Sequence, residues 1–310
     1  MDHFEIQTFE NEEESVHMAL AHCGKNPGHS DFIPVDSFEL EHLPSGHRDP
    51  NVYQLIGLVA RLTVKVKSVA CSKFREILFP GRQVVSGNIL TGSGRVYYVT
   101  KYVKGFDDNV KHPSGYTSCH CRRCLGTASP SDTWWEIAVI TAAHVVCDYT
   151  EVEKTECCFF YDNEESEVKT VDTVSILHVN AEEDKCILNC ITCDDDLGNT
   201  VNQSVDDILP HWNRLHTQYK ESNALKDFSF MVSHPHGGCK RVTLGKCLEK
   251  VQLPECAFGC YFSYTTPTCP GSSGAIVYLL GYSGTAGWST LPVHSRTLGG
   301  VNISGASYVR

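Results

Sequence analysis

From Val84 onward the chain carries short apolar segments rich in β-branched and aromatic residues: Val84 to Leu90, Gly94 to Val103, Trp134 to Thr141, Cys157 to Tyr161 and Val168 to Val179. Turn residues separate them, so each predicts a strand. The same texture returns in Phe228 to Val232, Lys240 to Leu244, Cys260 to Thr265, Ala275 to Leu280 and Leu291 to Val293. Short strands at this spacing predict a β-barrel or sandwich. One helical stretch, Val205 to Lys220, separates the two strand-rich halves. Upstream, Asp49-Pro50 reads as a helix start, and Val52, Leu55, Ile56, Val59 and Leu62 recur at helical spacing, which predicts a helix to about Lys65. Residues 1 to about 47 are acidic, His-rich and broken by Pro and Gly. They predict an irregular arm with one short helix around Glu13 to His22.

A chain of 310 residues has room for one large domain or two small ones, and 41% hydrophobic content is ordinary for a globular protein. The most apolar run, Ser273 to Gly281, is too short to cross a bilayer, so no membrane partner is expected. The formal net charge of −11 argues against nucleic acid as a partner, because phosphate binding needs a basic face. Residues 1 to 15 lack the basic start and apolar middle of a secretory signal, which predicts a cytoplasmic protein. In a reducing compartment the 16 cysteines read as free thiols or metal ligands before disulfides; for an exported protein the preference reverses.

Two local motifs carry chemistry. In Ile140-Thr141-Ala142-Ala143-His144-Val145-Val146 an apolar strand runs into two small residues and a histidine, which leaves the imidazole at the edge of a packed core. In Thr268-Cys269-Pro270-Gly271-Ser272-Ser273-Gly274-Ala275 glycines flank a serine, permitting a tight turn whose N–H groups aim at one point. Such donors are what a tetrahedral oxyanion requires.

The segment Val139 to Val146 resembles the histidine motif of the chymotrypsin-like peptidases, and Gly271 to Ala275 resembles their nucleophile motif. Between them, Glu183-Asp184-Lys185-Cys186-Ile187-Leu188 resembles the aspartate motif, an acid opening an apolar strand. The order His, Asp, Ser and the intervals match that family. The resemblance implies an all-β fold of two antiparallel Greek-key β-barrels with a partly helical N-terminal extension. Residues 1–65 would be the arm and helix. Residues 66–204 would be the first barrel, with an insertion at 104–132, and residues 205–310 the linker helix and second barrel. It implies a serine endopeptidase acting on protein or peptide substrates without a catalytic cofactor. Ser273 would be the nucleophile, His144 the general base and Asp184 its orienting acid, with the Gly271 and Ser273 N–H groups as oxyanion hole. Asp172 and the run Asp194-Asp195-Asp196 compete for the acid's role.

Some departures matter. Ser272 stands where secreted family members hold an aspartate that pairs with a new N-terminus, so activity without zymogen cleavage is expected. Val145 stands where a disulfide cysteine usually follows the histidine, and Cys147 lies two residues later. In these respects the chain is more similar to intracellular, bacterial and viral members. Thr268 and His294 fall where the family walls its specificity pocket. They resemble the pockets of glutamyl endopeptidases and picornavirus-type cysteine proteases, which implies cleavage after Glu or Gln; the alternative is that His294 is an ordinary strand histidine.

The cluster Cys119-His120-Cys121-Arg122-Arg123-Cys124 gives a C-x-C-x-x-C spacing suited to tetrahedral zinc. It lies in a polar stretch that has no core of its own and would gain order from a metal. Cys119, Cys121 and Cys124 are the expected ligands of a structural zinc. Cys157 or Cys158 would be the fourth, because their strand is expected near the histidine-bearing strand. His112, His120 and the pair Cys190 and Cys193 are alternatives, as are free thiols throughout. Two rival functions follow, a catalytically silent interaction or sensor module of the same fold and a zinc-dependent binding protein; an acidic arm occupying the cleft would instead make the enzyme self-inhibited. Metallohydrolase and nucleotide-binding signatures (H-E-x-x-H, G-x-x-x-x-G-K-[ST]) do not occur.

Overall fold

The computed structural model describes residues 3–10, 12–80, 84–222, 227–254, 259–282 and 290–308. Residues 283–289, between the serine motif and His294, lie outside them.

The first half closes on itself. Strand Ile89–Val103 pairs with Thr63–Val69, and the ladder continues through Glu156–Phe159, Lys169–Asn180 and Lys185–Thr192 to Thr133–Thr141. That strand pairs back onto Ile89–Val103, giving a closed antiparallel barrel of six strands. Alternation explains much of it: Val64 and Val66 point into the core, fully buried, as do Ile137, Val139, Cys186, Leu188 and Cys190.

In the second half, Phe228–Ser233, Arg241–Gln252, Gly259–Tyr264, Val301–Ser304 and His294–Leu298 form a second antiparallel sheet. Its two ends meet through the Ile276–Val293 bridge, extended by Val277 N–H donating to Pro292 O at 2.9 Å and His294 N–H to Ala275 O at 2.8 Å. The chain therefore has the trypsin-like double-barrel architecture.

Three sequence expectations need correction. Thr63–Val69 is a strand, not the end of the preceding helix. Helix Pro50–Leu62 starts at Asp49, whose carboxylate accepts from Asn51 N–H at 2.8 Å, and stops where the β-branched residues Thr63 and Val64 begin to alternate with polar ones. The linker helix runs Asp195–Glu221, ten residues longer at its start than the periodicity suggested. Asp194 is its N-cap, accepting from Leu197 N–H at 3.0 Å, and Asp195 and Asp196 fill the first turn, where carboxylates favour the helix dipole.

The arm is not irregular throughout. Gln7–Phe9 pairs with Ile89–Val103 of the first barrel, and His3–Phe4 pairs antiparallel with His294–Leu298 of the second. The residues between, Glu5 and Ile6, are thereby drawn across the seam between the barrels.

Candidate active site

Each member of the expected constellation is placed by a local device. His144 follows strand Thr133–Thr141 on a turn closed by Val145 N–H donating to Ala142 O at 3.1 Å. Ala142 and Ala143 are fully buried, and a larger side chain would disrupt the core there. Beneath the turn, buried Arg75 pairs with Glu151 and donates to the carbonyls of His144 and Val145, fixing the backbone that carries the imidazole.

Strand Lys185–Thr192 pairs with Thr133–Thr141 in the register Cys186 opposite Thr141. That register sets Asp184, on the turn just before, against His144. The Asp184 oxygens lie 2.8 and 3.0 Å from His144 Nδ1, and Oδ1 also accepts from the His144 backbone N–H at 3.0 Å. Asp184 takes φ 49°, a left-handed conformation that aspartate tolerates better than most residues. The rival acids are elsewhere: Asp172 pairs with Arg122 at 2.8 Å on the surface, and residues 194–196 cap the helix.

The serine turn depends on two glycines. Gly271 (φ 95°) and Gly274 (φ 87°) both sit in the left-handed region. A Cβ on Gly274 would lie 2.2 Å from Ser93 O and 2.3 Å from Thr141 Oγ1, so the turn is wedged against the first barrel. Ser93, which sequence reading did not single out, does the joining. Its N–H donates to Ser273 O at 2.8 Å, its hydroxyl to Gly271 O at 2.8 Å, and its carbonyl accepts from Thr141 Oγ1 at 2.8 Å. Among the described residues neither Gly271 N–H nor Ser273 N–H has an acceptor, as an oxyanion hole requires. Ser272 makes no ion pair; its Oγ accepts from Ser233 Oγ at 3.1 Å and Cys269 N–H at 3.2 Å.

The Ser273 hydroxyl does not bond His144. It donates to the backbone carbonyl of Glu5 at 2.8 Å, and His144 Nε2 is buried without a partner. Phe4 packs on the His144 ring, 5.2 Å between centroids, and the next residue presents its carbonyl to the serine. The Glu5 carboxylate enters a pocket made by the two residues expected to set specificity. His294 Nε2 is 2.7 Å and Thr268 Oγ1 3.0 Å from Glu5 Oε2, Thr297 donates to Oε1 at 2.6 Å, and Lys25 pairs with the same carboxylate. Behind His294, the Tyr264 hydroxyl lies 2.5 Å from Nδ1 and holds the ring. Burial by itself would raise the Glu5 pKa. The His294 hydrogen bond and charge, with Lys25, outweigh it and hold the carboxyl far below the usual carboxylate range. Glu5, Lys25 and Tyr264 were invisible as site residues in the sequence, since only the fold brings residues 5, 25, 264 and 294 together.

The cysteine cluster is assembled with one change. Ligand atoms of Cys119, Cys121, Cys124 and Cys193 lie within 4.8 Å of one another. Cys193 Sγ is 3.9 Å from Cys121 Sγ and 3.7 Å from Cys124 Sγ. Cys157 is not the fourth member. Its strand pairs with Thr63–Val69 and Lys169–Asn180, not with the histidine-bearing strand, and its sulfur meets Cys190 Sγ at 3.6 Å in the barrel core. Cys193 follows the strand that does pair with Thr133–Thr141. His120 stacks on Tyr116 instead, centroids 3.6 Å apart.

A closed six-stranded barrel that carries a histidine–aspartate pair, and a second antiparallel sheet whose glycine-flanked serine turn is wedged against it, make up a trypsin-like double-barrel fold. No family model and no curated protein matches the sequence. Among solved structures the chain is similar to the Rv3671c protease of M. tuberculosis in its active form, at 13% identity and TM-score 0.41 over 83% of this chain and 82% of that one. It is similar to Deg5, at 10% identity and TM-score 0.41 over 84% and 90%. The HtrA-type protease AlgW with a tripeptide is similar at 10% identity and TM-score 0.42, over 83% of this chain and 60% of that one. So distant a likeness adds no weight; the fold rests on the strand pairings above.

Proposed function

We propose that the chain is a serine endopeptidase that cleaves after an acidic residue, glutamate above all. One observation carries the reading: a segment of the chain itself lies in the cleft in antiparallel register with His294–Leu298, its glutamate in the Thr268–His294 pocket and its carbonyl on the Ser273 hydroxyl. Polar groups placed around that carboxylate would be left unpaired by an apolar side chain, which is how a buried polar pocket discriminates. The Lys25 ammonium favours a carboxylate over the neutral amide of glutamine.

In the reaction, Ser273 would attack the carbonyl carbon of the peptide bond. Its proton would pass to His144 Nε2 and then to the leaving amine. Asp184, on Nδ1, holds the tautomer that leaves Nε2 free to accept and stabilises the imidazolium. The Gly271 and Ser273 N–H groups would receive the oxyanion. For this the Ser273 hydroxyl must turn from Glu5 O toward His144, so the form with the arm seated is self-inhibited. That occupied cleft also favours the second reading, a module of this fold that never turns over.

The Cys119, Cys121, Cys124 and Cys193 thiolates fit a structural zinc: four soft ligands, three of them fully or nearly buried, beside Trp134 and Ile191. The metal would anchor residues 104–132 to the first barrel. It takes no part in peptide cleavage.

The test is a peptide-library assay of the full chain with Ser273→Ala as control. The reading predicts cleavage after Glu, weaker after Gln, absent in Ser273→Ala. Turnover with no acidic preference removes the pocket's role, and no turnover even after the arm is displaced removes the peptidase.

A further inference from the structure

A second group of metal-binding side chains lies outside the cysteine cluster. Cys23 and His29 come from the arm, His236 from the loop after strand Phe228–Ser233, and Cys269 from the serine turn four residues before Ser273. Widely separated in sequence, they place one ligand atom each within 4.8 Å of all the others. Cys23 Sγ is 3.5 Å from Cys269 Sγ, and Cys269 Sγ is 3.4 Å from His29 Nε2. Metal bonds of about 2.3 Å to sulfur and 2.0–2.1 Å to nitrogen give a tetrahedron with sulfur–sulfur and sulfur–nitrogen edges of about 3.8 and 3.6 Å. A disulfide needs about 2.05 Å between sulfurs. The spacing is therefore that of ligands around an ion, not of a bridge.

The surroundings fit an ion as well. His236 is 4% exposed; its Nδ1 bonds Gln7 Oε1 at 2.8 Å, which orients the ring, while its Nε2 is buried with no partner. A ligating histidine commonly shows this arrangement: one ring nitrogen held by an outer acceptor, the other directed at the metal. Asn26 donates to both sulfurs, from its backbone to Cys23 Sγ at 3.4 Å and from Nδ2 to Cys269 Sγ at 3.1 Å. Such donors favour the thiolates that a metal requires. Cys269 is fully buried and Cys23 nearly so, leaving His29 as the partly exposed side.

We infer that Cys23, His29, His236 and Cys269 form a second structural zinc site, a Cys2His2 centre that fastens the arm to the nucleophile turn. Binding would release the two thiol protons and leave no open coordination position, so the ion is structural and not hydrolytic. Its position gives it a role. Asn26, between the two arm ligands, also donates from Nδ2 to Thr268 O at 2.8 Å, and Lys25 beside it reaches Thr268 Oγ1 at 2.7 Å. The metal thus holds residues 23–29 in place as one wall of the acid pocket. Ligation is independent of whether Ser273 is a working nucleophile.

The experiment is metal analysis of the full chain, purified under reducing conditions without chelator, by elemental mass spectrometry and zinc X-ray absorption. Wild type should hold two zinc ions per chain. Cys193→Ser should lose one, and the ion it keeps should show a shell of two sulfur and two nitrogen ligands. His29→Gln and Cys23→Ser should each lose the other ion and keep the four-sulfur shell, while Cys23→His should retain two. Circular dichroism of each variant distinguishes a lost site from a lost fold. The inference is overturned if wild type holds a single ion that Cys193→Ser removes. It is equally overturned if folded Cys23→Ser keeps the full complement, or if peptide mapping finds Cys23 joined to Cys269 by a disulfide.

Discussion

The His144–Asp184 pairing and the tight turn at Ser273 were legible because each residue stands in a local motif whose geometry its neighbours dictate: a small-residue turn after an apolar strand, an acid at a strand's mouth, a glycine-flanked turn. Ser273→Ala is expected to lower kcat on the order of 10³-fold or more, and Asp184→Asn about 10⁴-fold through the wrong tautomer, measured on a Glu-containing peptide. The residues missed act only through the fold. Glu5 sits in an acidic arm with nothing to mark it from Glu10, and Ser93 falls between two predicted strand segments that the structure joins into one. Glu5→Ala should raise turnover of an added peptide roughly ten- to a hundredfold, since it removes charge-assisted bonds each worth about 1.5–3 kcal/mol. The pH dependence of the seated arm has a definite sign. The Glu5 pKa is held below its unfolded value, so the stabilisation is fully present above the ordinary carboxylate value of about 4.3 and is lost as pH falls through the lower folded value. Hydrogen exchange at residues 3–9 should therefore show Glu5's contribution to arm protection weakening in acid, below the ordinary carboxylate value of about 4.3; a contribution that persists unchanged once the carboxylate is protonated contradicts the pairing.

Strands and helices were read where periodicity ran uninterrupted and misread where one element passed directly into another. Thr63–Val69 follows helix Pro50–Leu62 without a loop, so the helical spacing of Val59 and Leu62 carried the reading past its end. The fourth cysteine was misassigned for a related reason: which strand neighbours Thr133–Thr141 depends on barrel closure, and the sequence holds no trace of that. The serine turn is the element most sensitive to change. Gly274→Ala should destabilise the protein by more than about 1 kcal/mol and abolish activity together, because the added methyl meets Ser93 O and Thr141 Oγ1 while φ 87° is itself unfavourable. Thermal unfolding at unchanged Tm would contradict that packing.

Considered whole, the molecule is two barrels laced together by the N-terminal segment, whose composition suggested an acidic arm able to fill the cleft but not the strands it lends to both sheets. The arm gives one short strand to each sheet and sets the buried Glu5 between them. On the proposed reading the pocket, the serine turn and the arm form one device, in which the chain presents to its own serine the kind of residue it would cut after. The most direct measurement is the rate at which a fluorophosphonate labels Ser273 in wild type, Glu5→Lys and Ser273→Ala, read by intact mass and peptide mapping. Slow labelling of wild type, faster labelling once Glu5→Lys unseats the arm, and none in Ser273→Ala are the predicted results. If Glu5→Lys stays folded and Ser273 remains unlabelled, the serine is not activated by His144 and the peptidase reading fails.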